Sequence, residues 1–352
     1  MAPNKNKESH SVTSHDVARA ANVSQALVSR AFTGKGRISP ETRARILKIA
    51  EDIGWHPNAL ARSVVTGDAP LVAVVTARLN FDWRAQVLSH LLKSIQAWHL
   101  KPLLFYAEND EDVDRLLAET MEWRTRGVIV MAGDIRARRA EAIISAGRFL
   151  ATLNRPANHP DGFAVATDNR QGGVMAASHL IEEGRQKFLV MSGPQNNWAS
   201  ELRTQGFVDA IRSQGGSAAI WRNETMTMEA GKECAAAFLA LRHNERPDAV
   251  FATDDALALG FMDGLRGQAH VPSDLSLVGF DNIAASAWLP YQLTTFEQPL
   301  DEMVGRIVHH IDLHQKTHHD TFQSTNPHRI DEGGVVYCLP KIIRRATTRS
   351  PA

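Results

Sequence analysis

Residues 16–32 read DVARAANVSQALVSRAF, two short helical patterns separated by a three-residue turn. Asn22 lies in that turn, where a left-handed backbone is often needed and asparagine tolerates it. Ser24 precedes the second pattern and is its expected N-cap. A third helix is predicted to open at Ser39 and Pro40, with the serine as its cap and the proline as its first residue. This order predicts a helix-turn-helix unit, which places its second helix in the major groove of DNA.

The outward side chains of the predicted second helix are suited to reading bases. Gln25 can bind adenine with two hydrogen bonds, and Arg30 can bind guanine in the same way. The Ser24 hydroxyl and the free amides at the helix N-terminus can hold a phosphate. An ordinary helical hairpin with a polar face is the alternative. The candidate DNA contacts in this unit are Thr13, Ser24, Gln25, Ala26, Ser29 and Arg30.

The charge distribution along the chain supports a polyanionic partner for this end. The whole chain has 39 basic and 39 acidic residues, but residues 1–67 hold ten of the basic and only five of the acidic ones. A basic end joined to an acidic body is expected where one end of a protein meets nucleic acid. A solvated basic arm is the alternative.

From residue 71 onwards, short apolar strand patterns alternate with amphipathic helices. The strand candidates are 71–75, 102–106, 127–131, 149–153, 163–167, 187–191, 248–253, 275–280 and 335–339. This alternation predicts parallel, doubly wound sheets. Because about 280 residues of it exceed one comfortable core, we expect two lobes.

The remaining sequence features favour a cytoplasmic binding protein. Cys234 and Cys338 form no CxxC pattern or disulfide framework. We find no apolar core of a secretory signal and no run near the roughly 18 apolar residues of a membrane span. Nucleotide-binding, hydrolase and zinc-protease motifs are missing from the sequence, and its paired histidines have no ligand set of sensible spacing. We therefore expect no enzyme activity, no cofactor and no metal.

The chain resembles the lactose-repressor (LacI/GalR) family over residues 12–345. Residues 12–63 are similar to that family's headpiece, and its body landmarks are matched by DNRQGGVMAASHLIEEG, VFATDDALALG, VPSDLSLVGFDN and LTTFEQPLDEMV. The resemblance implies an all-α helix-turn-helix headpiece and an α/β body of two doubly wound lobes, like a periplasmic binding protein. It also implies a sequence-specific transcription regulator, expected to be a repressor, whose operator affinity is controlled by a small metabolite.

The resemblance further implies a homodimer on a pseudo-palindromic operator. Residues 58–65 would form a hinge helix that enters the minor groove and wedges side chains between base steps. Asn58, Ala61 and Val64 match hinge positions, and Val64 stands where the family usually has a longer leucine. The closing segment, KIIRRATTRSPA, has no leucine heptads of the kind that make some relatives tetrameric, which favours a dimer.

Domain boundaries follow from the same comparison. We expect a disordered arm at 1–11, the helix-turn-helix domain at 12–57, a hinge helix and linker at 58–70, a first lobe at 71–166 with 298–326, a second lobe at 167–297 with 327–345, and a tail at 346–352.

The resemblance places an effector between the lobes, at the carboxyl ends of the strands. Arg203 and Asp281 match cleft residues of the family, whereas Asp254 falls where relatives commonly have asparagine. An arginine fork can hold a carboxylate or vicinal hydroxyls, and an aspartate accepts from hydroxyls or amines, so a sugar-like or sugar-acid-like effector is expected. The candidate effector contacts are Phe81, Trp83, Asn154, Trp198, Arg203, Asp254 and Asp281.

Simpler explanations of these residues stay open at this point. Arg203 fits a surface helix residue, Asp281 fits a turn at a strand end, and Phe81 and Trp83 fit packing at a lobe or dimer surface. For the whole chain, a solute-binding protein that has lost secretion would explain only the body. A sequence-neutral architectural DNA protein would explain only the headpiece.

Overall fold

The structure is a computed structural model that describes residues 12–34, 36–58, 70–79, 82–109, 112–133, 135–316 and 334–349. The chain divides into two compact units, Met1–Ala69 and Pro70–Ala352. Several predictions fall outside the described residues and stay predictions, namely the arm at 1–11, the hinge helix with Ala61 and Val64, and Phe81. Within the described ranges, no helix combines the length and apolarity needed to cross a bilayer.

The first unit contains three helices, α1 (Ser14–Ala20), α2 (Gln25–Thr33) and α3 (Pro40–Asp52). Each helix turns one apolar face inward, because its apolar residues recur at helical spacing. These faces share one core, formed by Val17, Ala18, Ala21, Val28, Ala31, Ile46 and Ala50. The helix-turn-helix predicted from residues 16–32 is therefore confirmed.

The helix starts follow the polar residues that the sequence places there. Ser24 Oγ accepts a hydrogen bond from the Leu27 N–H at 3.3 Å, and Ser39 Oγ accepts from the Thr42 N–H at 3.2 Å. Each bond satisfies one of the amides that a helix N-terminus leaves unpaired. In the turn between α1 and α2, Asn22 has the left-handed backbone expected of it, with φ of 51°.

The second unit consists of two α/β lobes. The described elements of the first lobe are β1 (Leu71–Ala77), α4 (Asp82–Ala97), β2 (Lys101–Ala107), α5 (Val113–Glu119), β3 (Gly127–Val130), α6 (Ala137–Ser145), β4 (Phe149–Leu153), β5 (Phe163–Thr167), α11 (Leu300–Lys316) and β11 (Val335–Cys338). Its parallel sheet has the order β11-β5-β4-β3-β1-β2. Helices α4 and α11 cover one face of this sheet, and α5 and α6 cover the other.

The second lobe repeats this plan with a smaller parallel sheet. Its described elements are α7 (Asn169–Glu182), β6 (Phe188–Ser192), α8 (Trp198–Ser213), β7 (Ala218–Arg222), α9 (Met228–Ala240), β8 (Ala249–Ala252), α10 (Asp255–Leu265), β9 (Ser276–Val278), β10 (Thr295–Glu297) and β12 (Lys341–Ile343). The sheet has the order β7-β6-β8-β9, and β10 and β12 form a separate antiparallel pair. The two-lobed, doubly wound body expected from the sequence is confirmed.

Within the described residues, the chain passes between the lobes at three places. The passages lie between β5 and α7, between β10 and α11, and between β11 and β12. Two of them run side by side, because the Asp168 N–H donates to the Cys338 carbonyl at 2.8 Å. The carboxyl ends of β5 and β11 therefore lie side by side at these passages.

Two expected boundaries differ from the structure. Strand β11 was expected within the second lobe, as part of 327–345, but it pairs with β5 of the first sheet. Its short apolar pattern fits either sheet, and only its observed pairing with β5 shows to which sheet it belongs. The expected tail at 346–352 is docked as far as it is described, because Thr347 and Thr348 are buried. The Thr347 hydroxyl donates to the Leu277 carbonyl at 2.7 Å, so this segment covers the β9 edge.

Helices α7 and α8 approach each other at backbone contact. A Cβ placed on Gly173 would lie 2.0 Å from the Arg203 carbonyl oxygen, and one placed on Gly206 would lie 2.0 Å from the Arg170 carbonyl oxygen. The two glycines therefore set the distance between these helices. Since Arg203 is carried by α8, they also set its position.

Candidate functional site

The predicted DNA-reading residues form one exposed face of the headpiece. Ser24, Gln25, Ala26, Ser29 and Arg30 are all exposed, whereas the apolar side of α2 is buried. Thr13 and Asn58, predicted to contact DNA from outside α2, are also exposed.

The start of α2 is connected to α1. Gln25 Nε2 donates to the Ser14 hydroxyl at 2.9 Å. Asp16 accepts from both the N–H and the hydroxyl of Thr13, at 3.0 and 2.7 Å. The Asp16 carboxylate has a lowered pKa, chiefly because of these bonds from Thr13. The first turn of α1 and the first residue of α2 are thus held in a fixed relation.

Arg203 is the centre of the polar group in the body. It is 5% exposed, and its guanidinium contacts several groups at once. Its Nε donates to Asn169 Oδ1 at 2.8 Å, and its Nη1 donates to the Thr253 carbonyl at 2.7 Å. The guanidinium carbon lies 3.6 Å from the centroid of the Phe280 ring. A buried arginine held in this way is not a surface helix residue.

Three carboxylates surround this guanidinium. Asp281 Oδ1 lies 3.3 Å from Arg203 Nη1. Asp254 caps α10 and accepts from the Ala256 N–H at 2.7 Å. Asp255 is fully buried and accepts from the Thr295 hydroxyl at 2.6 Å and from the Ile283 N–H at 3.0 Å. One cation therefore faces three acidic groups at the carboxyl ends of the second sheet.

The burial of these carboxyls raises their pKa values. Burial, reinforced by the nearby Asp281 charge, raises the pKa of Asp254 to about 8. Burial also raises the pKa of Asp281, against the opposing effect of Arg203, and raises that of Asp255 well above the usual range. Like charges in a desolvated site cannot all ionise at neutral pH. We therefore expect Asp254 to hold a proton there and to act as a hydrogen-bond donor.

Asp254→Asn is expected to make stability less dependent on pH. Because the folded-state pKa of Asp254 is raised, folding disfavours its ionised form and wild-type stability falls as the pH rises from about 4 towards 8. One pKa unit corresponds to about 1.4 kcal/mol, so the variant should gain roughly 1–3 kcal/mol on wild type between pH 5 and pH 8. Urea unfolding across that range is the measurement.

The matched control for this prediction is Asp209→Asn on α8. Asp209 pairs on the surface with Arg170 at 2.7 Å, so its loss should shift stability little and equally at both pH values. Parallel pH curves for wild type and Asp254→Asn would contradict the raised pKa.

Two of the predicted aromatic contacts lie between the lobes. Trp83, near the start of α4, packs against the apolar cores of both lobes. Its indole Nε1 is buried without a hydrogen-bond partner among the described residues. Trp198 opens α8 in the second lobe and packs with Ala157, Ala166 and Val335 of the first. Both indoles thus connect the two lobes beside the predicted cleft.

Asn154 joins the polar group through a residue that sequence reasoning missed. Its Nδ2 donates to Gln298 Oε1 at 2.8 Å, and Gln298 Nε2 donates to Asp281 Oδ1 at 2.6 Å. Asn169, Thr253 and Asp255 were also missed. Gln298 and Asn169 stand within the family landmarks LTTFEQPLDEMV and DNRQGGVMAASHLIEEG. The position of Gln298 and Asn169 within these landmarks was the sequence feature that could have identified them as candidate site residues.

Comparison with known proteins gives the class of this chain. The family model "Bacterial regulatory proteins, lacI family" matches residues 13–58, and the model "Periplasmic binding protein-like domain" matches residues 177–328. Catabolite control protein A of Priestia megaterium is 26% identical over 336 residues, 91% of this chain and 98% of that protein. The transcriptional repressor CytR of Escherichia coli K12 is 27% identical over 312 residues, 85% of this chain and 88% of that protein.

The fold of the whole chain is shared with a solved structure. The lac repressor dimer bound to operator and the anti-inducer ONPF superposes with a TM-score of 0.83 at 20% identity, over 96% of this chain and 99% of that one. A helix-turn-helix headpiece followed by a two-lobed ligand-binding body defines a transcription regulator with a sensor domain. Residues 13–58 match the lacI family of bacterial regulatory proteins, and most of the chain is similar to transcription regulators.

Proposed function

We propose that this regulator binds a pseudo-palindromic operator as a homodimer through α2, and that a small effector bound between its lobes controls the affinity. The group of Arg203, Asp254 and Asp281 carries the proposal, because it gathers polar side chains at the strand ends where such sheets take ligands. Arg203 and Asp281 are buried, and Asp254 is half-buried. The effector changes operator affinity only to the extent that it binds the two lobe arrangements differently. We expect this regulation to involve no catalysis. The protein would act in the cytoplasm, where its DNA target lies.

The charge of the site favours a neutral, hydroxyl-rich effector such as a sugar. Asp281 already takes the Nη1 face of Arg203, and Asp254 and Asp255 add two further acidic groups. A sugar acid would bring one more negative charge into this desolvated group, which is costly without a second cation. Hydroxyls instead donate to carboxylates and accept from the arginine and from a protonated Asp254. Trp83 and Trp198 offer apolar faces beside them.

The operator half of the proposal is tested by Arg30→Ala. Loss of one base-reading arginine should cost about 1–3 kcal/mol at the base it reads and relax preference there. The probes are an operator selected from random DNA by the wild-type protein and the same sequence scrambled. Fluorescence anisotropy at several salt concentrations gives both affinities.

Lys48→Ala is the matched control, because Lys48 is exposed on α3 and its loss removes the same charge. It should weaken binding to both probes alike and leave their ratio unchanged. If Arg30→Ala and Lys48→Ala lower the ratio equally, or if wild type selects no sequence, α2 is not the reading helix.

Exposed apolar residues support the dimer. Leu289 is 89% exposed and its neighbour Trp288 is 59% exposed, and both lie in a loop of the second lobe. Ile220 is exposed on β7, one edge strand of that sheet, and Leu104 and Tyr106 are exposed on β2, one edge strand of the other sheet. Apolar side chains on edge strands are a liability unless another chain covers them.

Leu289→Asp is expected to shift the protein from dimer to monomer. A charge buried against a partner's apolar surface costs several kcal/mol, enough to raise the dissociation constant at least a hundredfold. Sedimentation velocity at micromolar concentration measures this shift. Leu339→Asp changes another leucine, 63% exposed and outside these surfaces, and should leave the dimer intact. A dimeric Leu289→Asp protein would place the interface elsewhere.

A further inference from the structure

Gln298 lies at the centre of a hydrogen-bonded chain that crosses from one lobe to the other. It is 3% exposed and stands in the passage between β10 and α11. On the second-lobe side, its Nε2 donates to Asp281 Oδ1 at 2.6 Å. On the first-lobe side, its Oε1 accepts from Asn154 Nδ2 at 2.8 Å and from the Thr167 hydroxyl at 2.6 Å. One side chain thus connects the proposed effector site to the ends of β4 and β5.

The chemistry of the partners fixes the orientation of the Gln298 amide. Asp281 offers only acceptors when it is ionised, so it requires the NH₂ end. Asn154 presents its own side-chain NH₂ group, so it requires the carbonyl end of Gln298. The side-chain Oδ1 of Asn154 already accepts from the Thr167 N–H at 2.8 Å. A flipped Gln298 would oppose oxygen to carboxylate and NH₂ to NH₂. The donors and acceptors of this hydrogen-bonded series therefore fit in only one orientation, and each bond depends on its neighbour.

The hydrogen-bonded series ends in the first lobe at a turn of defined backbone conformation. Asn154 has a left-handed backbone with φ of 53°, and its N–H donates to the Val165 carbonyl at 2.8 Å. Thr167 is the last residue of β5 and comes directly before the first passage between the lobes. A change in the hydrogen bonds of Gln298 therefore affects the backbone next to a passage between the lobes. The relative position of the two lobes is set at such passages.

We propose that Gln298 is a positioning residue that transmits the state of the Asp281 carboxylate to the Asn154–Thr167 turn of the first lobe. This inference rests on the proposed function for its meaning, since Asp281 is a proposed effector contact. A ligand hydroxyl that binds Asp281 competes with Gln298 for the same carboxylate. That competition changes the hydrogen bonds that Gln298 accepts from Asn154 and Thr167. Gln298 does not touch the operator and needs no contact with the effector itself.

Hydrogen–deuterium exchange of the ligand-free, full-length protein tests this transmission. The readout is the segment 154–167, which includes the Thr167 N–H bonded to Asn154. Asp281→Ala should speed exchange there by about tenfold in the presence of Gln298, because it removes a charged acceptor from the chain. Gln298→Met should speed exchange similarly, and the two changes together should add nothing further.

A polarity swap separates transmission from general destabilisation. In the double variant Gln298→Glu with Asp281→Asn, the new amide donates to the new carboxylate, whose other oxygen still accepts from Asn154 and Thr167. This variant should restore slow exchange at 154–167. Exchange in β6, in the interior of the second sheet, reports whether each variant is folded.

Two results would overturn the proposal. The first is an unchanged segment 154–167 in Asp281→Ala, and the second is an equal effect of Asp281→Ala with and without Gln298. Because no effector or operator enters this experiment, its failure would leave the proposed regulation standing. Conversely, a failed operator test would leave the exchange result unaffected.

Discussion

Arg203→Ala is expected to abolish the effector response and to destabilise the body by about 3–5 kcal/mol, because removing one partner of a buried ion pair leaves the other charge uncompensated. Arg203 is the only cation that contacts Asp281 among the described residues, and it also holds Asn169 and the Thr253 carbonyl. The loss should be larger at pH 8 than at pH 5, because the three carboxyls escape the unpaired charge by protonation at low pH. Urea unfolding at both pH values measures it.

The effector part of this prediction needs a ligand found by a thermal-shift screen of neutral sugars and sugar acids on the wild type. A bound ligand raises the melting temperature by mass action, and Arg203→Ala should show no such rise at a hundred times the wild-type dissociation constant. Operator binding should persist at temperatures where the variant is folded, because the headpiece has its own core.

Two variants make the result specific. Arg203→Lys keeps the charge but loses the planar guanidinium fork and the stacking on Phe280. Its stability and its ligand-induced thermal shift should lie between those of wild type and Arg203→Ala. Arg222→Ala removes an arginine of the same lobe that pairs with Glu201 at 2.7 Å near the surface, and should cost at most about 1 kcal/mol. If Arg203→Ala responds to the ligand at normal concentrations, the effector binds elsewhere.

Gly206→Ala is expected to destabilise the body through a different cause. The added methyl would lie 2.0 Å from the Arg170 carbonyl oxygen, so α7 and α8 must separate. Overpacking of this kind costs about 1–3 kcal/mol and sometimes more, and backbone is the least yielding neighbour. Because α8 carries Arg203, the displacement should also weaken the ligand-induced thermal shift.

The matched control is Gly305→Ala in α11. A Cβ on Gly305 meets no atom within 4 Å, so the alanine should stabilise the protein by about 0.5–1 kcal/mol through helix propensity. The two glycine variants are thus expected to have opposite signs in the same urea experiment. A neutral Gly206→Ala would mean that the helices can separate without cost.

The features that the sequence predicted well are local or periodic. The caps Ser24 and Ser39, the turn at Asn22 and the alternation of strands and helices each depend on residues close together in the chain. Arg203 and Asp281 came from the family resemblance, and the structure brings them within 3.3 Å of each other. The sequence alone left Arg203 open as a surface residue because helical spacing does not reveal which face the neighbouring elements of the same lobe cover.

The features that the sequence did not predict depend on contacts between distant segments. Gln298 bonds to Asn154, 144 residues away, and no local pattern marks such a pair. Strand β11 has an apolar pattern that suits either sheet, so its assignment required the register with β5. Thr347 and Thr348 are polar and near the end of the chain, which resembles a tail until their hydrogen bonds are known.

The three passages between the lobes have a consequence for the order in which the protein matures on the ribosome. The headpiece is made before the body, and its third helix ends at Asp52, whereas the first sheet lacks an edge strand until β11 has emerged. The second sheet in turn lacks the cover on β9 until Thr347 is synthesised. Since domains generally fold as units during synthesis, a nascent chain would acquire the means to bind DNA well before it can sense anything.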